Sequence, residues 1–153
     1  MAKSVTTGVA QNHPDVQVFK EIGAIHRRIR EIVTSRLPEG MTYPQYDMLH
    51  FLADQAEAPT PADIAAALSR TPGAITNTLQ RLEAAGLAQV TSDPEDGRKK
   101  RVVMTLQGRQ VYAQCLAAIR PKVGNLREGF TPDEFRDALP FLRALRVWLT
   151  ESD

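Results

Sequence analysis

The chain has 153 residues, enough for one domain with a real core and too few for two independent ones. Lys and Arg total 19 against 18 Asp and Glu, a net charge of +1, so any polyanion partner must be argued from local charge. A single cysteine, Cys115, excludes an internal disulfide and a cysteine-rich zinc site. No apolar run approaches the roughly 20 residues of a membrane span, and residues 1–12 carry no apolar signal core, so a reducing, cytoplasmic setting is expected.

Residues 1–12 are small, polar and aperiodic, and a mobile arm is expected over 1–15. From 16 to 36, Val18, Ile22, Ile25, Ile29, Ile32 and Val33 mark a long helix with one apolar stripe. His26, Arg27, Arg28 and Arg30 lie mostly off that stripe. They fit a solvated face with snorkelling stems, or an anion or ligand contact. Leu37, Pro38, Glu39 and Gly40 end the helix, and Thr42 with Gln45 fits a capping box for the next one, which runs to about Asp54. Its inner stripe is Tyr46, Leu49, Leu52 and Ala53, with Met48 and Phe51 beside it. His50 reads as a structural or surface histidine, or as a ligand contact.

Thr60 before Pro61 and Thr71 before Pro72 repeat one device, an N-cap followed by proline at the first helical position, where a missing amide proton costs nothing. The first starts a short helix with Ile64, Ala65 and Leu68 inside, ending near Ser69. The second starts a helix over 72–85. Ile75, Leu79 and Leu82 form its apolar stripe, while Gly73, Thr76, Asn77, Gln80, Arg81 and Ala84 make a small, polar, nearly uncharged opposite face. Gly86 stands where a left-handed C-cap is expected. Residues 87–92 and 101–106 are β-prone, and between them lies Asp93, Pro94, Glu95, Asp96, Gly97, Arg98, Lys99 and Lys100. Helix, three-residue turn, helix, then a β-ribbon with a basic tip is the layout of a winged helix-turn-helix, whose second helix reads a major groove.

After the ribbon, Thr105 fits the cap of a helix from Leu106 that carries Val111, Tyr112, Cys115, Leu116 and Ile119. Pro121 is expected to kink or interrupt it. Thr131, Pro132 and Glu134 start a last helix, with Phe135, Leu139, Leu142, Leu145 and Leu149 on one stripe and Phe141 and Trp148 thickening it. Pro140 is expected to bend its axis. No nucleophile elbow, phosphate loop, HExxH or GxGxxG occurs, and His13, His26 and His50 have no ligand spacing. No catalytic residue, cofactor or metal is expected, and the chain reads as no enzyme.

Leu82, Glu83, Ala84, Ala85, Gly86 and Leu87, then Asp93, Pro94, Asp96, Arg98, Val102, Met104, Thr105 and Gly108, resemble the MarR family of bacterial transcriptional regulators, and the resemblance spans residues 16–149. It implies a mainly α fold with a small β-wing. A MarR-like domain over 16–153 would comprise dimerisation helices at 16–37 and 106–153 and a winged helix-turn-helix lobe at 42–105. The implied function is a homodimeric, sequence-specific DNA-binding repressor on a pseudo-palindromic operator, with half-sites about 10 base pairs apart. A small aromatic or anionic effector would relieve it. The alternative is a winged-helix module that docks proteins without binding an operator; the wing tip, Arg98, Lys99, Lys100 and Arg101, suits phosphates and a narrow minor groove better.

The expected DNA-facing set is Arg70, Thr71, Gly73, Ala74, Thr76, Asn77, Gln80, Arg81, Asp96, Arg98, Lys99, Lys100 and Arg101. Gly73 and Ala74 allow close approach, Asn77 and Gln80 suit adenine edges, Arg81 reaches guanine or phosphate, and Thr76 reaches phosphate or a thymine methyl. Within the resemblance, Arg98 matches the wing arginine that enters the minor groove and Asp96 the aspartate that orients it. Gly97 departs from the arginine often found between them. Relatives that respond to aromatic acids hold them between the dimerising helices and the DNA-binding lobe. Here His26, Arg30, Tyr46 and His50 either line such a crevice or are ordinary core-edge residues. Some relatives switch by oxidising a cysteine near the chain start, whereas Cys115 is expected to be a buried, inert thiol.

Overall fold

The computed structural model describes residues 13–152, so residues 1–12 of the expected arm lie outside the described residues. The arm's last residues do not belong to it, because Pro14 and Asp15 form the first turn of helix α1 (Pro14–Thr34). There follow α2 (Tyr43–Ala53), α3 (Pro61–Ala67), α4 (Pro72–Ala84), β1 (Ala88–Ser92), β2 (Lys100–Met104), α5 (Leu106–Gly124), α6 (Leu126–Gly129) and α7 (Pro132–Glu151). The fold is mainly α with one two-stranded sheet. The chain divides into two compact units, one up to Ala118 and one from Ile119 onward.

Local chemistry sets the helix starts. Gln45 Oε1 accepts the Thr42 backbone N–H at 2.8 Å, Asp63 Oδ2 accepts that of Thr60 at 2.9 Å, and Glu134 Oε2 accepts that of Thr131 at 2.7 Å. These are the side-chain halves of three capping boxes, and each satisfies a donor that the helix cannot. Gly40, with φ at +83°, is the third residue of a turn that Met41 N–H closes on the Pro38 carbonyl at 3.1 Å, which separates α1 from α2.

Three expectations change from Ala88 onward. Helix α5 is not interrupted at Pro121 but runs through it to Gly124, while α7 holds Pro140 in its interior, where it was expected. A proline removes one i to i−4 bond, and the turns on either side keep theirs. The single turn α6 was not expected. The ribbon strands begin one residue later and earlier than their patterns suggest, and Leu106 belongs to α5.

The first unit is built on one core. Met48, Leu49 and Leu52 of α2, Ile64 and Ala65 of α3, Ile75, Leu79 and Leu82 of α4, Leu87 after it, and Ala88 and Val102 of the ribbon form a continuous buried cluster. Ala53, expected on the inner stripe, is exposed; Met48, expected beside it, is fully buried. The strands are antiparallel with Val90 opposite Val102, so Val102 alternates inward while Arg101 and Val103 are only partly covered.

The ends of α4, β2 and α5 meet at one joint. Gly86, at φ +73°, turns the chain out of α4. Its N–H bonds Glu83 O and the Leu87 N–H bonds Leu82 O, both at 2.9 Å, which is the paired-bond ending of a helix capped by a left-handed residue. Thr105 then ties three elements: its N–H reaches Leu87 O at 3.1 Å, its hydroxyl donates to Gly86 O at 2.6 Å, and it accepts Gly108 N–H at 2.9 Å. Gly108 lies so close to this turn that a Cβ added there would stand 2.0 Å from Leu87 O and 2.8 Å from Met104 Cγ.

Gly108→Ala is therefore expected to lower stability by about 1–3 kcal/mol, because a backbone carbonyl cannot step aside as a flexible side chain can. Gly97, where an added Cβ meets nothing within 4 Å, is the control, and Gly97→Ala should leave the urea midpoint nearly unchanged. Equal midpoints for both variants would show that the joint yields.

Candidate nucleic-acid interface

The turn between α3 and α4 is held from both sides. Ser69 adopts φ +50°, and Arg70 N–H reaches back to Ala65 O at 2.9 Å, so α3 ends as α4 does but without a glycine. Thr71 Oγ1 then accepts Ala74 N–H at 3.2 Å and opens α4. Thr71 is thereby engaged as a cap, and Arg70 is half-buried.

With Ile75, Leu79 and Leu82 buried, the opposite side of α4 is forced outward, and Gly73, Thr76, Asn77, Gln80, Arg81 and Ala84 are all exposed. Ala74 is half-buried. The Thr76 hydroxyl donates to Pro72 O at 3.0 Å, which leaves its methyl and its acceptor lone pairs outward. Asn77 and Gln80, one turn apart, present amide groups with both donor and acceptor.

The wing loop is organised by two aspartates. Asp93 Oδ1 accepts the N–H of Glu95 at 2.8 Å and of Asp96 at 3.3 Å. The loop closes through Asp93 N–H to Lys99 O and Lys99 N–H to Asp96 O, both at 2.9 Å. Asp96 Oδ1 accepts the backbone N–H of Arg98 at 3.1 Å, so the hydrogen bond between this pair is to the Arg98 main chain and not to its guanidinium. Arg98, Lys99 and Lys100 are exposed. Arg101 differs from its neighbours, for its guanidinium donates from Nε to Asp93 Oδ2 at 2.7 Å and from Nη1 to Ala58 O at 3.0 Å. The bond from Glu95 N–H and then the Arg101 guanidinium hold the Asp93 carboxyl below its ordinary range.

Of the four residues considered for an effector, three enter a cluster with two that the sequence reading did not include, Tyr43 and Tyr112. The Arg30 guanidinium lies 4.9 Å over the Tyr43 ring. Tyr46 stacks on His50 at 5.8 Å between centroids, and His50 Nδ1 is 2.7 Å from the Tyr112 hydroxyl. Burial first, and then the Tyr112, Cys115 and Tyr43 side chains, push the Tyr46 phenol up to about 12. Tyr43 was legible as one helical turn before Tyr46; Tyr112 lies 62 residues from His50 and no spacing announces it. His26 is exposed, as is Arg30, beside which Arg27, Glu31, Thr34 and Ser35 line an open depression of about 480 Å³. Cys115 is fully buried with its thiol 3.6 Å from Met41 Sδ, and burial pushes the thiol up. Among the described residues no three His, Cys, Asp or Glu side chains gather as a metal site, and no helix is long and apolar enough to cross a membrane.

Capped helix, tight turn, helix with an exposed polar face, and ribbon with a basic tip define a winged helix-turn-helix protein. The MarR family profile matches residues 39–99. The HTH-type transcriptional repressor Rv2887 of Mycobacterium tuberculosis is 26% identical over 138 residues, covering 90% of this chain and 97% of that protein. MarR from E. coli, in a mutant form complexed with operator DNA, has a similar fold at TM-score 0.70 and 23% identity, covering 85% of this chain and 94% of that one. CouR from Rhodococcus jostii RHA1, bound to p-coumaroyl-CoA, has TM-score 0.74 at 23% identity, covering 88% and 94%. Residues 39–99 thus match the MarR family, the fold is that of MarR, and the curated relative that aligns over most of this chain is a transcriptional repressor.

Proposed function

We propose that the protein is a cytoplasmic homodimer that binds a pseudo-palindromic DNA operator and represses transcription, with the exposed face of α4 in the major groove and the wing tip on the backbone and minor groove. The observation that carries this reading is the pairing, in one lobe, of a polar and nearly uncharged helix face with a loop whose Arg98, Lys99 and Lys100 side chains are exposed. Amides at Asn77 and Gln80 discriminate base edges; cations at the wing supply sequence-independent affinity. The structure of E. coli MarR with operator DNA supports it. Footprinting on the DNA flanking the protein's own coding region tests it, with a protected stretch of two half-sites about 10 base pairs apart as the expected result. Arg98→Ala should weaken binding to that stretch by about 1–3 kcal/mol and flatten its salt dependence without unfolding the protein. Unchanged affinity across salt concentrations would remove the wing from the mechanism.

The dimer reading rests on apolar faces that the single chain leaves in water. On α1 these are Phe19, Ile25 and Ile29. On α7 they are Phe135, Leu139, Phe141, Leu142, Val147, Trp148 and Leu149, all 42–64% exposed. Such an extent of exposed apolar surface marks an interface, and a second copy of the chain is the economical cover. Removing residues 131–153 should yield a monomer or an aggregate; a stable soluble dimer in sedimentation would place the interface elsewhere.

For the effector, the Arg30 and Tyr43 pair beside the α1 depression favours an aromatic acid, its carboxylate meeting Arg30 and its ring the tyrosine. Titration with salicylate-like acids should release operator DNA from the wild type and not from Arg30→Ala. Equal release from both, or from neither, would remove Arg30 from the site.

A further inference from the structure

Arg101 belongs by sequence to the cationic run of the wing, yet it is the member whose guanidinium is turned inward. Among the described residues, Arg98, Lys99 and Lys100 make no side-chain hydrogen bond or ion pair, whereas the Arg101 side chain is 31% exposed and bonds a carboxylate whose own side chain is 10% exposed. That carboxylate, Asp93, closes the end of β1 and organises the first turn of the wing loop through its other oxygen. The second bond, to Ala58 O, reaches out of the wing altogether, into the segment that precedes the Thr60 cap of α3. The next residue, Val102, repeats the connection, with its N–H on Pro59 O at 2.9 Å. So β2 pairs with β1 on one edge and is fastened on the other to the entrance of the helix-turn-helix.

Resting on the DNA-binding reading, we infer that Arg101 is a positioning residue: it clamps the wing root to the Ala58 carbonyl and sets where Arg98 and the two lysines stand relative to α3 and α4, and it does not itself contact phosphate. The electrostatic setting agrees. Asp93, Asp63 and Glu57 all act on the Arg101 guanidinium to stabilise its charge, so a phosphate would compete with an acidic neighbourhood already in place. The planar fork also matters. Its Nε and Nη1 donors serve two acceptors in different directions, which a single ammonium on a flexible stem cannot hold in one geometry. The clamp fixes one wall of a cleft of about 510 Å³ that Thr60, Asp63, Lys99 and Lys100 also line, and so holds the two lysines at a set distance from the start of α3.

The test uses the full chain and a duplex that the wild type itself selects from a random-sequence pool, with affinity measured across a series of KCl concentrations. Arg101→Gln should weaken binding about tenfold at every concentration with an unchanged salt slope, while Lys99→Gln flattens the slope by about 0.9. Arg101→Lys keeps the charge and loses the fork, and should not rescue. Asp93→Asn removes a negative charge from a DNA-facing loop, which by charge alone would tighten binding; the clamp requires that it weaken binding as Arg101→Gln does. In an Arg98→Ala background, Arg101→Gln should cost less than in the wild type, since one of the three side chains it positions is gone. Should Arg101→Gln fail to fold, Arg101→Lys and Asp93→Asn carry the same comparison. Full rescue by lysine together with a flattened slope in Arg101→Gln would make Arg101 a phosphate contact and overturn the inference, as would an unchanged affinity in Asp93→Asn. A wild type that selects no duplex would instead fail the DNA-binding reading on which the inference rests.

Discussion

The joint at Leu87 is the constraint on which the lobe depends. Helix α4 must stop, reverse and enter β1 within three residues, and α5 must leave β2 beside the same point. A left-handed Gly86 turns the chain fast enough without side-chain strain, and only a Gly108 without a Cβ lets α5 start against the Leu87 carbonyl. The Thr105 hydroxyl fills the space between them with two hydrogen bonds, one given and one received. Because this point fixes both the C-terminal end of α4 and the base of the ribbon, the orientation of the exposed α4 face follows from backbone geometry rather than from side chains on that face. Surface residues of α4 are thus free to vary in chemistry without loss of the fold.

The same separation runs through the core. Met48, Leu49, Ile64, Leu82 and Val102 come from α2, α3, α4 and β2, and each is buried to 1% exposure or less. Every element that presents a candidate DNA-facing group therefore also contributes an anchor to one cluster, apart from the wing loop itself. The loop has no apolar anchor, and hydrogen bonds hold it: the two Asp93 oxygens, the Lys99 carbonyl and the Arg101 fork. Polar anchoring suits a segment that must stay solvated and carry cations, since apolar residues there would be exposed with nothing to bury them.

Helix starts, apolar stripes and the ribbon were legible because each rests on local rules: threonine before proline at 60, 71 and 131, period-3.6 stripes, and Gly86 after the last stripe residue. What was not legible depended on partners far along the chain. Tyr112 joins His50 across 62 residues, and Ala58 receives Arg101 across 43. The expectation of an interruption at Pro121 failed for a different reason, since a proline alters one turn while the flanking turns decide whether the helix continues, as they also do around Pro140 inside α7. The left-handed Ser69 also had no signal, because serine at such a turn looks like any polar loop residue until the Arg70 bond to Ala65 O is seen.

Charge shows most clearly how a one-dimensional reading and a folded surface differ. The segment from 98 to 101 is four cations in sequence, but in space Asp93 neutralises the fourth and the Ala58 carbonyl engages it. A protein of net charge +1 has no global field to draw it to DNA, so on the proposed reading its affinity must come from the few cations that remain outward and from their placement. Placement then matters more than number. With three free cations per wing, a shift of the loop by a few ångströms moves most of the electrostatic contact at once, whereas a protein with a broad basic surface would lose one contact among many. On that reading a low overall charge makes a rigid wing root matter, and an arginine committed inward, where the sequence alone would assign it to the groove, is consistent with it.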